Sequence, residues 1–83
     1  MKKTNLSLDE LNKRAEEVFE LQDGDYIYDV EVNDGKIDID SVTVNMEEVD
    51  EKGRIVNFDY KPDMTERPEA LDYLLGLRND FND

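Results

Sequence analysis

Carboxylates are the side chains of this sequence with the most chemistry to offer, and they come in short rows. Asp25, Asp29 and Glu31 stand at odd positions of one run, and Asp38 and Asp40 at alternate positions of the next. Glu47, Glu48, Asp50 and Glu51 then follow almost without interruption. Acids in such numbers permit three kinds of work: general acid–base catalysis, metal binding, or recognition of a basic partner. Catalysis needs a cleft that pushes two carboxyl environments apart, and 83 residues do not easily wall one off. Histidine and cysteine are absent, so Ser7 and Ser41 have no base to activate them. The four glycines are isolated and form no phosphate loop. We therefore expect a protein that is not an enzyme.

The segment Glu48-x-Asp50-x-Lys52-Gly53-x-Ile55 partly matches a calcium loop, with glycine at the sixth position and an apolar eighth. Lys52 occupies a ligand position, however, and strand-like runs rather than helices flank the segment. It is expected to be a solvated hairpin turn, and no metal or cofactor is expected.

The elements that must position these acids are legible from hydrophobic period. In Asp25–Asp40, Tyr26, Tyr28, Val30 and Val32 alternate with Asp25, Ile27, Asp29 and Glu31, the pattern of a half-buried strand. Asp34-Gly35 supplies a tight turn, and the returning strand sets Ile37 and Ile39 against Asp38 and Asp40. Val42, Val44 and Met46 then change phase, which predicts a β-bulge near Asp40-Ser41. A third strand over Arg54–Tyr60 sets Val56, Phe58 and Tyr60 toward the core and ends at Lys61-Pro62.

Helices flank the strands. Residues 1–5 are expected to fray. Ser7-Leu8-Asp9-Glu10 is a capping box, and Leu8, Leu11, Ala15, Val18 and Phe19 form an apolar stripe that Asp23-Gly24 stops at about Gln22. Near the C-terminus, Asp63 or Thr65 caps a helix whose stripe is Ala70, Leu71, Leu74, Leu77 and Phe81. Gly76 either sits inside that helix at a cost of roughly 1 kcal/mol or ends it. The fold class is α+β: one domain over 1–83, a two-layer α-β-β-β-α arrangement with a three-stranded antiparallel meander and both helices on one face.

In this register Asp25, Asp29, Glu31, Asp38, Asp40 and Asp59 share the outer sheet face, extended at one end by Glu47, Glu48, Asp50 and Glu51. Same-face neighbours on a strand lie ~6.6–7 Å apart, comparable to phosphates along one nucleic-acid strand. The plain alternative is a solvated face. Yet the formal charge of −13, from 10 basic and 23 acidic residues, exceeds the magnitude of about 2–8 that solubility needs. Like charges across strands also destabilise a sheet.

Such acidity disfavours direct contact with nucleic acid or anionic lipid and favours a basic partner. No apolar run follows the basic start Met1-Lys2-Lys3, and none approaches the ~20 residues that span a bilayer, so a cytoplasmic protein is expected.

In length, acidity, lack of cysteine and helix–three-strand–helix order, the chain resembles small acidic inhibitors from phages and mobile elements. These include anti-CRISPR proteins, anti-restriction proteins and uracil-DNA glycosylase inhibitors. The likeness is one of character and carries over no residue roles. The topology also resembles that of double-stranded RNA-binding domains, without their basic loop and helix. The resemblance implies a nucleic-acid mimic that occupies the groove of a basic nucleic-acid-binding protein such as a nuclease effector. The expected contacts are Asp25, Asp29, Glu31, Asp38, Asp40, Glu47, Glu48, Asp50 and Glu51. The alternative is an interaction module that uses an apolar surface such as Ile27, Ile55 and Tyr73, its acids serving solubility only.

Overall fold

The structure, a computed structural model, describes residues 2–63, 66 and 68–81. The elements run β1 (Lys3–Thr4), α1 (Leu8–Phe19), β2 (Tyr26–Asn33), β3 (Lys36–Val49), β4 (Ile55–Tyr60) and α2 (Pro68–Leu75). The fold is α+β, with two helices and an antiparallel sheet whose β2-β3-β4 portion is a meander. The described residues hold no helix long and apolar enough to cross a membrane.

Helix α1 begins with half of the expected capping box: the Ser7 hydroxyl accepts from the Glu10 amide at 3.2 Å, while the Glu10 carboxylate turns to Arg14 instead of reaching back. Leu11, Ala15 and Val18 are buried, whereas Leu8 lies off the stripe and is exposed. The helix stops at Phe19, earlier than Asp23-Gly24 suggested. Glu20 turns into the left-handed region at φ 54°, its amide and that of Leu21 both reaching the Glu16 carbonyl. Helix α2 ends similarly. Gly76 at φ 83° donates to the Tyr73 carbonyl and Leu77 to the Asp72 carbonyl, a Schellman motif that makes Gly76 the stop. Leu77 therefore falls outside the helix and is exposed, while Tyr73 joins Ala70 and Leu74 in the core. Ahead of α2, the Glu66 amide bonds the Asp63 carbonyl at 3.1 Å; Thr65 lies outside the described residues.

Lys3 and Thr4 are not frayed as expected. Lys3 pairs with Asp38 and Thr4 with Ile37, so β1 adds a fourth strand. The reason is polar satisfaction: the Thr4 hydroxyl, fully buried, donates to the Leu75 carbonyl at the end of α2.

Strand β3 carries the sheet. Its turn from β2 has positive φ at both Asp34 (55°) and Gly35 (77°), the type I′ geometry that matches strand twist. The expected bulge is present. Pairing passes from Glu31↔Asp38 to Asp29↔Thr43, so the single residue Val30 faces Ile39, Asp40, Ser41 and Val42. The detour sends Ile37, Ile39, Val42 and Val44 all into the core. A fully buried aliphatic side chain of this kind contributes ~1.5–3 kcal/mol.

A second shift overturns the expected phase of β2. Tyr28 is unpaired between Ile27↔Val44 and Asp29↔Thr43. Ile27 is buried opposite Val44, while Tyr26 and Tyr28 remain about half exposed. One skipped residue exchanges the faces.

Strand β4 departs most from expectation. It pairs with Val44–Val49 of β3, in line with β1 along the same edge, and all six of its residues are exposed. Val56, Phe58 and Tyr60, expected in the core, are 44, 41 and 38% accessible. The helices pack on each other, α1 also on β2 and α2 on β1, and β4 stays exposed along its length.

Candidate partner-binding surfaces

The nine predicted contact residues divide among three places, with Asp25 buried beside Glu47 at the second. The first is the bulge. Asp29, Glu31, Asp38 and Asp40 line one open depression of about 320 Å³, together with Val30, Ser41 and Lys61. Ser41 holds it in shape: its hydroxyl accepts from the Glu31 amide at 2.7 Å and donates to the Asp38 carbonyl at 2.6 Å. These bonds replace ladder bonds that the detour removes. Glu31 and Asp38 stand directly opposite each other, and Lys3, in register with Asp38 on its other side, pairs with Asp34 at 4.0 Å.

Asp38 differs from expectation. It is buried, and its Oδ1 accepts from the Asp40 amide at 2.9 Å, so it braces the bulge instead of facing solvent. Asp29, Glu31 and Asp40 are the exposed members.

Asp25, expected on the outer face, is buried instead. It is only 5% accessible; Oδ2 accepts from the Gln22 amide at 3.0 Å and Oδ1 from the Glu47 amide at 2.9 Å. The residue ties the end of α1 to β3 and presents no carboxylate to a partner. Charge alternation alone did not reveal this, because Asp25 precedes the first paired residue of β2 and follows a turn.

Glu47 and Glu48 belong to the second place, a depression between the C-terminal end of α1 and the body of β3 that Met46 and Tyr60 also line. Glu47 packs so closely on Gly24 that an added Cβ there would lie 2.3 Å from its carboxylate. Asp50 and Glu51 form the third, at the β3–β4 tip. The tip is the hairpin turn expected there. Asp50 Oδ1 accepts from the amides of Lys52 and Arg54 at 2.9 Å each, and Oδ2 pairs with Arg54 Nε at 3.0 Å. The Arg54 amide bond above all holds the Asp50 carboxyl below its ordinary value. Its oxygens serve the turn. Asp59 does face the outer side, where it bonds the Tyr28 hydroxyl and pushes that group's ionisation up. The continuous carboxylate row is therefore not formed; bulge, turn and buried cap divide it.

Among the described residues no group of three or more acids is arranged to hold a metal ion. The apolar candidates also part company: Ile27 and Tyr73 are buried, and Ile55 is 66% accessible on β4. Val49 pairs with Ile55 on the same face, and Val56 and Phe58 are exposed on the other; the sequence pattern assigned these three to a covered face or to none. The signal missed was length. Strand β3 has 14 residues and the helices 12 and 8, too short to roof all of it.

No family model, curated protein or solved structure matches this chain.

Proposed function

We propose that the protein is a non-enzymatic acidic binding module that occupies the nucleic-acid-binding groove of a basic protein, such as a CRISPR or restriction effector, in place of nucleic acid. The observation that carries this reading is the bulge cluster. Asp29, Glu31 and Asp40 are exposed around one depression, with Asp38 beneath and Lys61 as the one cation in its lining. The net charge of −13 adds a long-range field that speeds encounter with a cationic groove.

The test is competition. Tagged protein is used to capture basic proteins from a host lysate at low salt, with and without excess duplex DNA. The expected result is that DNA displaces the captured protein and that D29K/D40K binds it far more weakly. Capture that ignores both DNA and the double reversal sinks the reading.

The exposed apolar residues of β4 and the tip favour a second reading, an interaction module whose acids serve solubility. It requires capture that persists near 1 M salt, where the Debye length is only ~3 Å.

A further inference from the structure

We infer that the outer edge of β4 receives an extended segment of a basic partner protein as an added antiparallel or parallel strand, the segment alternating apolar and basic residues. The inference rests on the reading above only in taking the partner to be basic.

The Asp50 amide bonds the Arg54 carbonyl at 2.9 Å, so those residues form a hydrogen-bonded pair. In an antiparallel ladder every second pair does the same, here Glu48↔Val56, Met46↔Phe58 and Val44↔Tyr60. The amides and carbonyls of Ile55, Asn57 and Asp59 therefore turn away from β3. On the other side of the pair the Glu47 amide points away from β4 and finds Asp25. Among the described strands β4 pairs with β3 alone.

Sheet edges are normally blunted by lysine, proline, bulges or brevity. Strand β4 has no lysine, proline or bulge within its six residues, Ile55-Val-Asn-Phe-Asp-Tyr60; its one charge is Asp59, which deters an acidic strand and suits a basic one, and its β3 register runs without a shift. It is a regular, open edge with backbone donors and acceptors in sequence, the template that strand addition uses.

Charge selects the occupant. A second copy would bring another −13 to the same edge, with Asp59 and the acidic tip of each chain in the other's field. A cationic segment meets attraction instead. The faces set its pattern: basic residues beside Asp59, apolar ones beside Val56 and Phe58, which lie on the opposite face.

Peptides of alternating Lys and Val, matching β4 in length, provide the test, titrated by calorimetry and by amide shifts of β4. The controls are a block peptide of the same composition and an alternating peptide N-methylated on the residues that face β4. The expected result is that both controls bind about tenfold more weakly or worse, with shifts centred on Ile55, Asn57 and Asp59. N57P, which removes an outward amide and spares the backbone ladder to β3, loses the preference for alternation; N57A, which like N57P loses the Asn45 Nδ2 to Asn57 Oδ1 bond but keeps the amide, retains it. Equal binding of alternating, block and methylated peptides, lost alike at high salt, overturns strand addition while leaving the acidic-surface reading standing. Absence of any binding overturns the inference. So does a dimer of the protein alone that N57P abolishes, since a second copy would then hold the edge.

Discussion

Nη1 of Arg14 on α1 donates to the Tyr73 carbonyl on α2 at 2.8 Å, and the same guanidinium stands 4.6 Å from the centroid of the Tyr73 ring. A further bond from Nη1 reaches the Arg78 carbonyl, and Nε pairs with Glu10. Tyr73 in turn donates its hydroxyl to Glu17 and stacks on Phe81. One buried cation thus satisfies carbonyls at the end of a helix that ends without a basic residue of its own in the last turn.

Removing that cation leaves the Tyr73 carbonyl with only the Gly76 amide, takes the Arg14 donor from the Arg78 carbonyl, and empties the space the guanidinium fills beside the Tyr73 ring. R14A should cost about 3 kcal/mol in urea unfolding. R14K should lose less but still measurably, because an ammonium lacks the planar fork that bonds carbonyls and stacks at once. A loss for R14A within experimental noise contradicts the capping role.

Glu20 holds φ 54° with a Cβ in the way. E20G should raise stability by about 1 kcal/mol relative to E20A, a comparison in which both variants lose the charge and only glycine relieves the backbone. At this chain length that difference is a shift of roughly 4–8 °C in melting temperature. Identical melting of the two variants would show that Glu20 is unstrained.

Ser41 joins the two strands across the bulge through its single hydroxyl. S41A should cost ~1–2 kcal/mol, since the Glu31 amide and the Asp38 carbonyl both lose a partner. S41T keeps the hydroxyl and should recover most of it. Hydrogen exchange at the Glu31 amide gives the local reading: fast in S41A, slow in the parent.

Asp50 titrates below its ordinary value of 3.8 because the Arg54 amide, then the Lys52 amide and the Arg54 side chain, favour its charged form. A carboxyl depressed in the folded state stabilises above the unfolded value and loses that contribution as pH falls through the folded one. D50N should therefore melt below the parent at neutral pH, with the gap closing as pH drops under 3.8. A gap independent of pH would assign the effect to the amide substitution itself.

The identities of the elements were legible because local chemistry decides them. The capping box started α1, Asp34-Gly35 required a turn of positive φ, and the odd-to-even change from Ile39 to Val42 required a bulge. The candidate site was less legible. Asp29, Glu31 and Asp40 reached solvent as alternation predicted, but Asp25 and Asp38 became braces for nearby amides. Alternation assigns a face; it does not count the unpaired amides within reach of a carboxylate.

What the amino-acid sequence determined by itself was a strongly acidic α+β domain with its turns and helix starts in place, because those depend on residues a few positions apart. Tertiary structure alone decided which residues of β2 point inward, since a single unpaired Tyr28 reverses the phase. It alone decided that Thr4 and Arg14 cap the end of α2 from some 60–70 positions away in the chain. It also left β4 uncovered, because whether an apolar face is buried depends on how far the helices extend over the sheet, and no local pattern encodes that reach.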